Sequence, residues 1–164
     1  MKKVESLRQY LTDAIPGLAK DAERLFLAID EGFIVPTQRT TTFRMKAKVT
    51  VTLLDLPADQ IDSLAVALLF WTADNQPELM AAPESARAFP FNVEMLDRKV
   101  CDVAFTLDLD ELVSVTPRPG GGFDLIHRDE PDLEPGWDHL EGWKTDARLL
   151  RLFINDDQVL GPPP

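Results

Sequence analysis

The residues best equipped for chemistry are Asp108 and Asp110, two apart in the run CDVAFTLDLD that opens at Cys101. Alternate side chains of an extended strand share a face, so these carboxylates point together and carry the donor chemistry for a hard divalent cation. The same alternation offers a simpler account: Leu107 and Leu109 take an apolar face, and Asp102, Asp108 and Asp110 form the solvated one. A second set, His127, Asp129, Glu130, Asp132, Asp138 and His139, has metal-ligating side chains without a ligand spacing, and reads as an acidic loop. Cys101 is the single cysteine, so it forms no internal disulfide. Its phase with Val103 and Phe105 predicts a small buried residue rather than a nucleophile. Gly120-Gly121-Gly122 follows Pro119 and precedes a strand-like run, so it predicts a hairpin turn; a phosphate cradle needs a helix N-terminus behind the glycines. No nucleophile elbow of the form Gly-x-Ser-x-Gly and no His-Glu-x-x-His helix is written in the chain. These residues predict a protein that is not an enzyme and uses no metal or cofactor.

Arg44, Lys46 and Lys48 make a basic strand face on a chain of 164 residues whose formal net charge is −11. They are expected to meet the acidic face of Asp102, Asp108 and Asp110, either across one sheet or across a subunit boundary. These six residues are the candidate subunit interface; an ordinary solvated face, with lysines guarding an edge strand, is the competing account. The acidity argues against sequence-specific binding of nucleic acid. The longest apolar run, Leu64 to Trp71, is too short to cross a bilayer, and no apolar stretch follows Lys2-Lys3 as a signal peptide would require. A location off the membrane is expected.

The elements that must position these residues follow from periodicity. Val4, Leu7, Tyr10, Leu11 and Ala14 recur at helical spacing and predict a helix that Pro16-Gly17 stops. Leu25 to Asp30 is largely apolar on both faces and reads as a buried strand, with a short helix as the alternative, and Glu31-Gly32 turns it back into Phe33-Ile34-Val35. Phe43 to Leu53 alternates throughout, with Phe43, Met45, Ala47, Val49, Val51 and Leu53 on one face and the basic strip on the other. Pro57 is expected in the first turn of a helix whose stripe is Ile61, Leu64, Ala65, Leu68 and Leu69, ending at Asn75-Gln76-Pro77. Glu78 to Ala82 reads as one more turn. Further strands are read at Phe89–Met95, Cys101–Asp110, Leu112–Thr116 and Phe123–Ile126. The order predicts an α+β (mixed α/β) domain: a mostly antiparallel sheet with two main helices packed on one face. The core domain is expected over residues 1–128. Residues 129–146 form an acidic Pro/Gly-rich loop with Trp137 and Trp143, and residues 147–164 a C-terminal strand completing the core plus a frayed proline tail.

At this point the chain resembles a known family, the phage tail completion proteins (GpR) of temperate contractile-tailed phages. Three places carry the likeness: Ser6-Leu7-Arg8 with Leu11-Thr12-Asp13-Ala14, the long strand and helix ending in Trp71 and Asn75-Gln76-Pro77-Glu78-Leu79-Met80, and Leu152-Phe153-Ile154-Asn155-Asp156-Asp157-Gln158-Val159. Asn155-Asp156 stands where the family usually has the tighter Asn-Gly turn, and residues 129–146 lie outside its pattern. The resemblance implies a tail-terminator-like structural virion protein. It would act at the head-proximal end of the tail as a ring-like homo-oligomer, of six copies on the analogy with other phages. It would touch tail tube, sheath and head-tail connector proteins, and be assembled in the host cytoplasm. A different class, an adaptor or assembly chaperone of a phage-like machine, is the alternative.

Overall fold

The computed structural model describes residues 1–37, 41–81, 89–97, 99–128, 152–154 and 157–160. Two long strands are its frame: β2 (Thr42–Pro57) and β4 (Val100–Pro117). They pair antiparallel from Thr42↔Ser114 to Pro57↔Val100. β1 (Leu25–Pro36) lies along the free side of β2. Along the other side of β4 run β3 (Phe91–Met95), on its first half, and β5 (Phe123–His127), on its last third. β6 (Leu152–Ile154) and β7 (Asp157–Leu160) pair with each other in a separate two-stranded sheet.

Two helices cover one face of the main sheet. α1 (Lys2–Ala14) buries Leu7, Leu11 and Ala14 and ends at Ile15, whose backbone is extended before Pro16; Gly17, with a left-handed φ of 83° that a side chain would strain, leads into a 3-10 turn over Leu18–Lys20. α2 (Ile61–Asn75) buries Leu64, Ala67, Leu68 and Trp71, and the short α3 (Glu78–Ala81) follows it. Trp71 Nε1 donates to Ser6 Oγ at 3.1 Å, tying the helices together. Their side chains meet Val49, Val51 and Leu53 of β2 and Cys101, Val103, Phe105, Leu107 and Leu109 of β4 in one core. The alternation read from the sequence is therefore the burial pattern of both central strands. The fold is α+β, as expected.

Five local expectations are corrected. Glu31-Gly32 is no turn: Leu25–Ile29 pair with Leu53–Val49 and Glu31–Pro36 with Lys48–Phe43, so one strand continues through a bulge at Asp30. β2 is long enough to offer a partner to both halves. Nor is that strand buried on both faces, because it is a sheet edge and only its first residue, Leu25, is buried. Pro57 closes β2 with an extended ψ of 129°, and a 3-10 turn over Ala58–Gln60 separates it from α2. Leu112 to Thr116 is not a strand of its own but the continuation of β4. On α2, the buried stripe is rotated from the expected one: Ser63 and Thr72 are inside, whereas Ala65 and Leu69 are exposed.

Candidate assembly surface

β2 and β4 bring the six charged candidates onto the sheet face opposite the helices. Lys46 stands directly across from Asp110 and Lys48 across from Asp108. Arg44 Nη1 lies 2.8 Å from Asp110 Oδ2, and Lys46 Nζ lies 3.6 Å from the same oxygen. The basic and acidic faces thus meet across one sheet within one chain. Both cations are about half exposed, so each pair contributes only about 0.2–1 kcal/mol. Asp102 is used differently: its Oδ1 accepts the Asp55 backbone N–H at 2.9 Å, steadying a bulge where Asp55 has a left-handed φ of 53°. Lys48 and Asp108 stay exposed.

Behind this strip lies a polar cluster that the sequence reading missed. Glu111 occupies the apolar phase of β4 between Leu109 and Val113, and is 1% exposed. Its Oε1 accepts the Lys2 backbone N–H at 3.0 Å and contacts His127 Nδ1 at 2.7 Å. Lys3, also buried, donates to Gln76 Oε1 at 2.9 Å and to the Asp110 carbonyl at 2.6 Å, while Asp110 N donates to Gln76 Oε1 at 3.0 Å. The start of α1, the end of α2 and the middle of β4 are pinned at one point. A carboxylate in the apolar phase of an unbroken alternation was the available signal. His127 is therefore a β5 residue held by Glu111, not part of a loose metal-ligand loop; Asp129, Glu130, Asp132, Asp138 and His139 lie outside the described residues. Among the described residues no group of three or more His, Cys, Asp or Glu side chains is placed to hold a metal ion.

Cys101 is fully buried, with Sγ 3.4 Å from the Leu56 carbonyl, and burial followed by the neighbouring Asp102 charge pushes its thiol up, away from the nucleophilic thiolate. Gly120, Gly121 and Gly122 all have positive φ and form the β4–β5 turn, closed by Arg118 N to Gly122 O at 3.0 Å.

Two apolar features stand out, besides exposed Phe26 and Ile29 of β1 and Met95 and Leu96 at the end of β3. Between α2 and β3 a cavity of about 220 Å³ is lined by apolar residues alone, among them Leu64, Leu68, Leu69, Phe91 and Phe105. At the far end of the sheet, Phe33, Ile34 and Val35 of β1 and Phe123, Leu125 and Ile126 of β5 are all exposed. Contiguous exposed apolar surface marks interaction sites.

A charged sheet face paired within the chain, a cluster that orients elements rather than reactants, and exposed apolar edges define an α+β assembly module. Comparison with known proteins gives the same class. The family model of P2 phage tail completion protein R (GpR) matches residues 1–131. Tail completion protein R of Escherichia phage P2 is 30% identical over 161 residues, covering 97% of each chain. The chain belongs to the GpR tail completion family, whose role is structural. No solved structure matches it.

Proposed function

We propose that this chain completes the phage tail at its head-proximal end as a ring of identical copies. The ring meets the last tube and sheath subunits on one side and the head connector on the other. The observation that carries this is the family match across residues 1–131. The likeness to the P2 protein runs on past that point, over 161 residues and 97% of each chain, so the segments after residue 131 share in it. The virion is where the protein acts, and the host cytoplasm is where it is assembled.

The charged strip belongs to this reading as a minor part of the subunit contact. Arg44 and Lys46 already pair with Asp110 Oδ2 and Asp102 holds a bulge, so Lys48 and Asp108 are the members left to face a neighbour. Exposed charges of this kind set registry, and apolar contacts hold the ring. The unpaired carboxylates keep the assembled surface negative, so DNA passes without sticking. The test is proteomic and hydrodynamic. Purified tails should contain the protein in a small fixed copy number, native mass spectrometry should find a closed oligomer, and deleting the gene should leave headless tails. Presence in assembly intermediates but absence from finished particles would make it an assembly chaperone instead.

A further inference from the structure

The distal part of the main sheet has four strands in the order β1-β2-β4-β5, each antiparallel to the next. Its two outermost strands therefore run in opposite directions. Among the described residues β1 pairs only with β2, and β5 only with β4, so each presents an open row of backbone donors and acceptors. At the other end of β1 the helical layer reaches the strand, where Arg8 of α1 donates to the Leu25 carbonyl. Past the Asp30 bulge the strand runs on with Phe33, Ile34 and Val35 exposed.

We propose that β1 of one copy adds to the outer edge of β5 of a second copy, so that the sheets of neighbouring copies become continuous. This rests on the ring reading above and names the surfaces that would build it. Four strands alternating in direction can be repeated sideways without breaking the alternation, because the next copy's β1 arrives antiparallel to β5. The two edges sit at neighbouring levels of the sheet: Ile34 lies level with Glu111 through Met45 and Leu125 pairs with Val115, so setting Ile34 against Leu125 slides each copy by four residues along the strands and brings Glu31 opposite Arg128. The faces match. Register puts Ile34 on the helix side with Phe123 and Leu125, and puts Phe33 and Val35 on the opposite side with Ile126. Joining the edges buries apolar residues on both faces at once. That stagger also sets opposite charges together: Glu31 flanks the β1 segment and Arg128 follows β5, both exposed, while the Asp124 carboxylate of β5 is held by Arg118 at 2.9 Å.

A symmetric β1–β1 dimer is the competing use of the same edge. Pairing antiparallel about Ile34, it would set Glu31 against Thr37 rather than a cation and leave the apolar β5 edge open. Contact between two different edges satisfies both, and it propagates from copy to copy until rotation closes it.

The experiment uses the full-length chain with Ile34→Cys and Leu125→Cys, singly and together, treated with a short bismaleimide. Buried Cys101 does not compete for the reagent. A ladder of covalent multimers from the double variant, with neither single variant linking, is the expected result. Dimers from either single variant would overturn the inference in favour of a symmetric contact. An oligomeric native mass without any ladder would overturn it while leaving the ring reading intact. A monomeric mass at all concentrations would overturn both. As a second arm, Ile34→Glu and Leu125→Glu should each lower the native mass to that of the monomer with unchanged far-ultraviolet circular dichroism. If both variants still assemble, the edges are not the contact.

Discussion

β2 and β4 each cross two different environments. Over Val49–Leu53 and Cys101–Leu109 their inward side chains lie under α1 and α2 and are buried. Toward Thr42 and Pro117 the same two strands continue past the helices, flanked by β1 and β5 residues that are more than one-third exposed. The alternation runs through both halves of β2, and β4 departs from it only where Glu111 takes the apolar phase and Leu112 the polar one. What differs is whether a second layer covers the face. Periodicity writes which side chains share a face, and only the rest of the chain, or another chain, determines whether that face is dry.

The largest effect that could break this contrast comes from the covered half. Phe105→Ala should cost about 3–5 kcal/mol in chemical denaturation, because Phe105 is 2% exposed and its neighbours relax only partly. A value near that of surface substitutions would mean the covered half is no core. Next is the cluster at the boundary of the two halves. Glu111→Ala strips the Lys2 backbone N–H and His127 of their acceptor, and an expected loss of about 1–3 kcal/mol can be read from the same unfolding curves.

Substitutions on solvent-facing surfaces should be mild. Arg44→Ala should cost about 0.2–1 kcal/mol at low ionic strength and less in concentrated salt, measurable as the salt dependence of the midpoint. Ile34→Ser should leave the stability of the isolated chain within about 0.5 kcal/mol, since that side chain is 70% exposed. A multi-kilocalorie loss there, in a sample verified as monomeric, would erase the difference between the halves.

The gentlest probe is spectroscopic. Tyr10 is the single tyrosine, and burial, then the Asp74 charge, push its hydroxyl up to about 12 from 10.0. The fold thus resists tyrosinate. The associated stability is intact below pH 10 and is lost as pH rises through 10 toward 12. Near-ultraviolet tyrosinate absorbance should develop late and coincide with unfolding; early development at the ordinary pKa would mean that Tyr10 is solvated. Asp74, raised by burial, acts with the same sign in the acid range: its contribution weakens as pH climbs past the ordinary aspartate value, so Asp74→Asn should raise the neutral-pH melting temperature slightly.

The fold was legible where a signal is local. Leu7, Leu11 and Ala14 recur at helical spacing, and Val49, Val51 and Leu53 alternate, so the pairing of helix layer and sheet followed. It was illegible where a strand's course depends on its partner. Glu31-Gly32 looks like a turn until the sixteen-residue β2 is there to receive both sides of it. Pro57 looks like a helix start until Ala58 N is seen bonding Lys99 O across the strand end. The charged strip was legible as two faces, and its intramolecular pairing needed the β2–β4 register. Glu111 was overlooked because a carboxylate among the β4 polar residues attracts no notice unless its phase is counted. Residues 129–146, with Trp137 and Trp143, lie outside the described residues.

The continuity of β4 has a mechanical consequence. At roughly 3.3 Å per residue its eighteen residues extend about 60 Å, nearly all of it bonded laterally to β2. Pulling the two ribbons apart lengthwise loads these crosswise hydrogen bonds together in shear, whereas peeling breaks them one after another. A tail completion protein would bear tension best along this axis, where the load is shared over the paired length of the two strands.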